Sequence, residues 1–230
     1  MDVGAGAGEF LSLMRKHGWE TAGVEPSPVT SRYAREDRGI QVFTGTLQDI
    51  DLPHASYDLV TLWEVMEHLP DPLAAVKKMA LLLKKGGTLV FSTPNIEGLP
   101  VRWFGSAWWT NVPRHLYFFS PKTVRILVEE SGLELTAIKH HTSLYKRMGF
   151  AVTFKRWVLN KTPRFDRKVQ TWLGPSREDI SVGRSSTVPF TKRALDWILE
   201  YGSFPVALFS VLTHQGPDMI VYATKARRGT

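Results

Sequence analysis

The chain has 230 residues, 43% of them hydrophobic and 22% charged, which supports a well-buried globular domain and excludes extensive disorder. Its formal net charge of +7 suits an anionic partner, a membrane surface or simply a solvated basic exterior. It contains no cysteine, which excludes disulfides, thiolate metal sites and a cysteine nucleophile, and no apolar run approaches the ~20 residues that span a bilayer.

Met1 to Val3 reads as the stub of a first strand. A strand of about 5–6 residues is usual, so the pattern predicts that an N-terminal piece is missing. Glu9 to His17 predicts a helix, with Phe10, Leu13 and Met14 on one face and Gly18 after it. Thr21 to Val24 reads as a strand, Pro28 to Asp37 as a helix, Gln41 to Thr44 and Tyr57 to Leu62 as strands. Asp71-Pro72 opens a helix, with the aspartate as cap and proline in the first turn. That helix is expected to end at Lys85-Gly86-Gly87, before a fifth strand over Thr88 to Ser92.

From Pro94 to Ser120 the periodicity fails and aromatic residues crowd a loop-like stretch, among them Trp103, Trp108 and Trp109. Ser120-Pro121 caps a further helix through Glu130, and Leu133 to His140 reads as a sixth strand. Residues 143–181 are basic and aromatic, Pro189 to Leu212 reads as an apolar helical pair, and Asp218 to Lys225 as the last strand. Strands separated by helices imply right-handed crossovers and a parallel sheet. The expected fold is therefore α/β: a doubly wound, seven-stranded, mostly parallel sheet, N-terminally truncated, with a helical insertion before the last strand. The corresponding divisions are a core over 1–142, an insertion or lid over 143–217, and 218–230 returning to the core.

The run Asp2-Val3-Gly4-Ala5-Gly6-Ala7-Gly8 is the most informative segment. Alternate glycines let the backbone turn tightly and approach a ligand. A dinucleotide loop wants a small residue at the sixth position from its first glycine. Here that position is Glu9, which argues against pyrophosphate binding. Glu25 ends the second strand, where a carboxylate can accept from both ribose hydroxyls. The competing interpretations are a structural turn and a solvated strand-end acid.

These residues together resemble the class I S-adenosylmethionine-dependent methyltransferases. The glycine run resembles their first motif, Glu25 matches their ribose acid, and Asp58 to Leu69 resembles their fourth-strand segment. Leu83-Lys84-Lys85-Gly86-Gly87 is similar to the turn before their fifth strand, with Lys85 in place of the usual proline. Pro113 to Pro121 further resembles the broad branch related to ubiquinone-pathway O-methyltransferases. The resemblance implies S-adenosylmethionine as cofactor and an antiparallel seventh strand near Met219 to Thr224. It implies cofactor contacts at Asp2, Gly4, Ala5, Gly6, Gly8, Glu25, Pro26, Trp63 and Glu64. The family often has Gly-Asp after strand three. Here it is Gly45-Thr46, so adenine contact is expected from Thr46 and Leu47.

Three residues are candidates for the chemistry: His115, Glu67 and His68. An imidazole titrates near ~6.5 and can take a proton at neutral pH, which makes His115 the favoured base. Spacings of three and four residues place Glu64, Glu67 and His68 near one helical face. Relatives of the ubiquinone branch carry a similar run read as a divalent-metal site. The preferred interpretation has no metal, with Glu67 and His68 bracing the loop after strand four. The expected reaction is methyl transfer to an oxygen of a small-molecule, lipid-linked or saccharide-linked acceptor. Alternatives are N- or C-methylation, or a degenerate cofactor-binding scaffold. Nucleic acid is not an expected partner. The expected location is the cytoplasm; the apolar stretch from Tyr201 to Leu212 is expected to pack on the sheet edge, the alternatives being a lid over an apolar acceptor and peripheral contact with the inner face of the membrane.

Overall fold

The computed structural model describes residues 1–108, 110–141, 153 and 215–227. The chain divides into two compact units. One comprises Met1–Ile96, Arg114–His140 and Asp218–Thr230, the other Glu97–Pro113 and His141–Pro217.

The first unit is built on a seven-stranded sheet. Its strands are β1 (Asp2–Val3), β2 (Ala22–Glu25), β3 (Gln41–Thr44), β4 (Tyr57–Trp63), β5 (Leu83–Pro94), β6 (Glu134–His141) and β7 (Asp218–Thr224). Their order across the sheet is β3-β2-β1-β4-β5-β7-β6. The pairs β2/β3, β1/β2, β1/β4 and β4/β5 are parallel, and β7 runs antiparallel to β5 from Thr88↔Thr224 to Pro94↔Asp218. The expected α/β sheet and its antiparallel seventh strand are both present.

Helices α1 (Glu9–Lys16), α2 (Pro28–Glu36), α3 (Pro72–Leu82) and α5 (Pro121–Glu130) pack on this sheet, and α4 (Leu99–Phe104) belongs to the second unit. Local chemistry starts each packed helix. Ser27 caps α2 ahead of Pro28, Asp71 Oδ1 accepts from Ala74 N at 2.9 Å to cap α3, and Ser120 with Thr123 forms a capping box at α5. Successive strand residues face opposite sides of a sheet. On β3, Val42 joins a cluster with Ala5, Leu11, Ala34 and Ile40 under α1 and α2. Its neighbour Phe43 packs on the larger cluster that holds Val60, Leu62, Val76, Met79, Phe91 and Val128, under α3 and α5. Helices therefore cover both faces.

Two boundaries differ from the sequence expectation. Helix α3 stops at Leu82, and β5 begins at Leu83, not after Gly87. Leu82 and Leu83 are both fully buried, and Leu83 pairs with Tyr57 ahead of a register shift in the β4/β5 ladder. Pairing with β4 thus overrides the Lys-Gly-Gly turn signal. Within the stretch expected to be irregular, α4 and a short 3-10 turn over Gly105–Ala107 form in the second unit. There Trp108 is buried and stacks on Phe104. Trp109 and the segments 143–181 and 189–212 lie outside the described residues, apart from Thr153. Among the described residues no helix is long and apolar enough to cross a membrane.

Candidate functional site

The site residues gather at the carboxyl ends of β1, β2 and β4, where open parallel sheets bind ligands. Gly4, Gly6 and Gly8 all have positive φ, at 78°, 54° and 80°. They are not equivalent. A Cβ on Gly4 would lie 2.5 Å from Val65 Cγ2, so the loop presses against the β4 exit there. A Cβ on Gly6 would meet nothing within 4 Å. Gly6 is thus constrained by its backbone conformation, and its bare backbone faces open space at the carboxyl end of β1.

Glu25 stands beside this loop. Its Oε2 accepts from Gly6 N at 2.9 Å and its Oε1 from Ser27 N at 2.9 Å. Gly45 N donates to the Glu25 carbonyl at 3.1 Å, which brings the β3 exit alongside. Pro26 and Thr46 are exposed there, and Thr46 is engaged with Asp49 Oδ2 at 2.5 Å. Leu47 is only 3% exposed and belongs to the core cluster. Asp2 is equally enclosed. Its Oδ1 accepts from Thr61 Oγ1 at 2.6 Å, and burial pushes its pKa up to about 6. Asp2 therefore sits beneath the loop as a brace between β1 and β4. The glycine turn, the strand-end acid and the open face at Gly6 together fit S-adenosylmethionine.

The β4 exit carries the second group of residues. Trp63 packs edge-on against Phe10 of α1 at 5.2 Å between ring centres. Glu64 has a φ of 56°, and a 3-10 turn follows over Met66–His68. Glu64 therefore does not share a helical face with Glu67 and His68, which corrects the expectation from their spacing. It pairs instead with Ser92 Oγ at 2.9 Å. Glu67 turns into the protein, where Thr93 Oγ1 donates to its Oε2 at 3.1 Å. Burial, reinforced by the neighbouring Glu64 charge, raises the Glu67 pKa, against smaller opposing effects from hydrogen bonds and His68.

The loop over Arg114–Phe119 lies across this exit. Leu116 N and Tyr117 N donate to the Glu67 carbonyl at 2.8 and 3.3 Å, and Tyr117 Oη donates to the Pro70 carbonyl at 2.9 Å. His68 Nδ1 is 2.9 Å from the Arg114 carbonyl. A carbonyl only accepts, so Nδ1 carries hydrogen, and in the neutral ring Nε2 is the basic nitrogen. The His68 and His115 rings meet edge-to-face at 4.8 Å. Glu67, His68 and His115 each offer a ligand atom within 4.8 Å of the others. One carboxylate and two imidazoles suit proton transfer, and they also suit a borderline divalent ion. The three candidate catalytic residues are brought together; Glu64, the third member of the unfavoured metal alternative, is not part of that group.

Ser92 and Thr93 escaped the sequence reading. Both look like ordinary strand residues, and only their position at the end of an otherwise apolar run could have marked them. A separate cavity of about 350 Å³ opens at the starts of β2, β3 and β4, lined by Phe10, Met14, Trp19, Tyr57 and Leu59 among others. None of the candidate site residues lines it.

Residues 1–138 match the family model described as "Methyltransferase domain". A stretch of 105 residues is 39% identical to the ubiquinone biosynthesis O-methyltransferase of Escherichia coli O139:H28, covering 43% of this chain and 43% of that protein. The chain thus spans less than half the length of the curated relatives it matches. Among solved structures, an S-adenosylmethionine-dependent methyltransferase of Thermotoga maritima aligns over 97% of this chain and 80% of its own, with TM-score 0.57 and 19% identity. One from Archaeoglobus fulgidus aligns over 97% and 84%, with TM-score 0.56 and 20% identity. At such identities these structures attest the fold. The matched span contains the glycine loop, the strand-end acid and the β4 exit described above, and the chain belongs to the class I S-adenosylmethionine-dependent methyltransferases.

Proposed function

We propose that the chain transfers a methyl group from S-adenosylmethionine to an oxygen of a small-molecule, lipid-linked or saccharide-linked acceptor, with His115 taking the acceptor's proton. The observation that carries this reading is the grouping of Glu67, His68 and His115 at the β4 exit, next to the glycine loop. The 39% identity to an O-methyltransferase supports oxygen as the acceptor atom.

The cofactor's chemistry is a methyl group on a sulfonium sulfur, open to in-line displacement. The protein's part is mainly alignment, which can supply much of the acceleration. Gly6 and Glu25 would hold the nucleoside end. A hydroxyl acceptor gains nucleophilicity as its proton leaves, and His115 stands in the cluster that can receive it. Glu67 anchors the Arg114–Phe119 loop through its carbonyl, so it fixes where His115 sits. The setting is proposed to be cytoplasmic and without a nucleic-acid partner.

The test is methyl transfer from labelled S-adenosylmethionine across a panel of hydroxylated acceptors. His115→Gln should lower turnover by ~10²–10⁴-fold while calorimetric cofactor binding is kept. An unchanged rate removes His115 as base. Loss of activity in chelator, restored by a divalent ion, would instead assign the cluster to a metal.

A further inference from the structure

Glu64 is one of two described non-glycine residues with positive φ; the other is Ala55. A glutamate in the left-handed region is strained, whereas glycine adopts it freely. The Ser92 hydroxyl bonds it in that conformation. Ser92, 4% exposed on β5, accepts from Glu64 N at 3.0 Å and donates to Glu64 Oε1 at 2.9 Å. That uses the donor and an acceptor of one hydroxyl on the backbone and side chain of the same residue. Ser92 lies opposite Trp63 in the β4/β5 register, one residue before the turn. The turn it fixes delivers the next residue, Val65, against the space left by Gly4, where a Cβ would be 2.5 Å from Val65 Cγ2.

We infer that Ser92 is a positioning residue for the cofactor: by holding Glu64 in its left-handed turn, it seats Val65 under the glycine loop and keeps the Glu64 carboxylate at the exposed edge of the site, toward the cationic end of the cofactor. This rests on the reading of the glycine loop as the S-adenosylmethionine site. A purely architectural turn would be served by glycine at 64. A strained glutamate with its own buried clamp indicates that the carboxylate itself is used. The adjacent strand residue, Thr93, donates to the Glu67 carboxylate from the other face of β5, so consecutive hydroxyls bond two acids of the β4 exit.

The experiment is a double-mutant cycle read by calorimetry with S-adenosylmethionine and with its homocysteine product. Ser92→Ala and Glu64→Gly should each weaken both ligands by roughly 10- to 100-fold, the loss of a charge-assisted hydrogen bond. Ser92→Ala added to Glu64→Gly should cost nothing more, because the serine acts only through Glu64. Slowed amide exchange at Glu64 in the parent should be lost in Ser92→Ala. Additive losses, or unchanged affinity in either single variant, overturn the inference. Should Ser92→Ala fail to fold, Glu64→Gln decides, since it keeps the side-chain shape and removes only the charge: parental affinity for both ligands overturns the inference. A parent chain that binds neither ligand overturns the cofactor site itself, a different result from a parent that binds with additive variants.

Discussion

The Thr93 hydroxyl donates to Glu67 Oε2 at 3.1 Å, with both residues almost fully buried. Glu67 in turn receives two amides of the Arg114–Phe119 loop on its backbone carbonyl, so one residue, by its side chain and its carbonyl, joins the sheet to the loop that carries His115. Thr93→Val keeps the shape and deletes the donor. It should destabilise the fold by about 1–3 kcal/mol, the cost of a buried acceptor left unmade. Urea denaturation would measure this, and a shift under 0.5 kcal/mol would show that the bond contributes little.

The glycine loop makes a contrasting pair of predictions. Gly4→Ala must displace Val65 as well as strain a φ of 78°, so it should lower both the melting temperature and cofactor affinity. Gly6→Val meets no protein atom within 4 Å of its Cβ. It should cost stability only through backbone strain, about 1–2 kcal/mol, and yet abolish cofactor binding by filling the open space there. Binding of S-adenosylmethionine by folded Gly6→Val at parental affinity would place the cofactor elsewhere.

Glu25 bonds the loop directly through Gly6 N and Ser27 N. Glu25→Ala should weaken the cofactor by about 1.5–3 kcal/mol through lost charge-assisted bonds, with adenosine affected in parallel. An equal affinity for adenosine in parent and variant would separate Glu25 from the ribose.

Asp2 sets a pH dependence. Its pKa is raised from 3.8 to about 6, chiefly by burial. The folded state therefore binds more protons than the unfolded state between these values. The contribution is fully present below about pH 4 and is lost as pH rises through 6. Asp2→Asn retains an acceptor for Thr61 and removes the buried charge. It should be more stable than the parent at pH 8, by about 3 kcal/mol, with the difference vanishing near pH 4. A gap that persists at pH 4 would assign the effect to packing instead.

The cofactor half of the site was legible because it is local. Gly4 to Gly8 and Glu25 occupy the sequence positions that their strand ends require, and the backbone does the rest. The other half was not. Helical spacing grouped Glu64 with Glu67 and His68, but the chain makes a left-handed step at Glu64 and then a 3-10 turn, which sends the two glutamates to different partners. His115 joins the cluster through contacts between residues nearly fifty positions apart, such as the hydrogen bond of His68 with Arg114 and the edge-to-face packing of the two rings. No periodicity encodes such a contact. Likewise, the start of β5 at Leu83 is decided by its partner Tyr57 rather than by the Lys-Gly-Gly signal that follows.

The strand order carries a kinetic consequence. β5 has β4 on one side and β7 on the other, and Thr88 meets Thr224 more than a hundred residues further along the chain. Until those later residues are made and docked, one edge of β5 presents unpaired amides and carbonyls beside the apolar Leu89 and Phe91. Such an edge recruits other strands, and closing so long a loop is slow. On the ribosome, the half of the sheet that carries the glycine loop can assemble early, while β5 waits half-paired. A chaperone that shields that edge would raise the yield of folded enzyme without touching the active site.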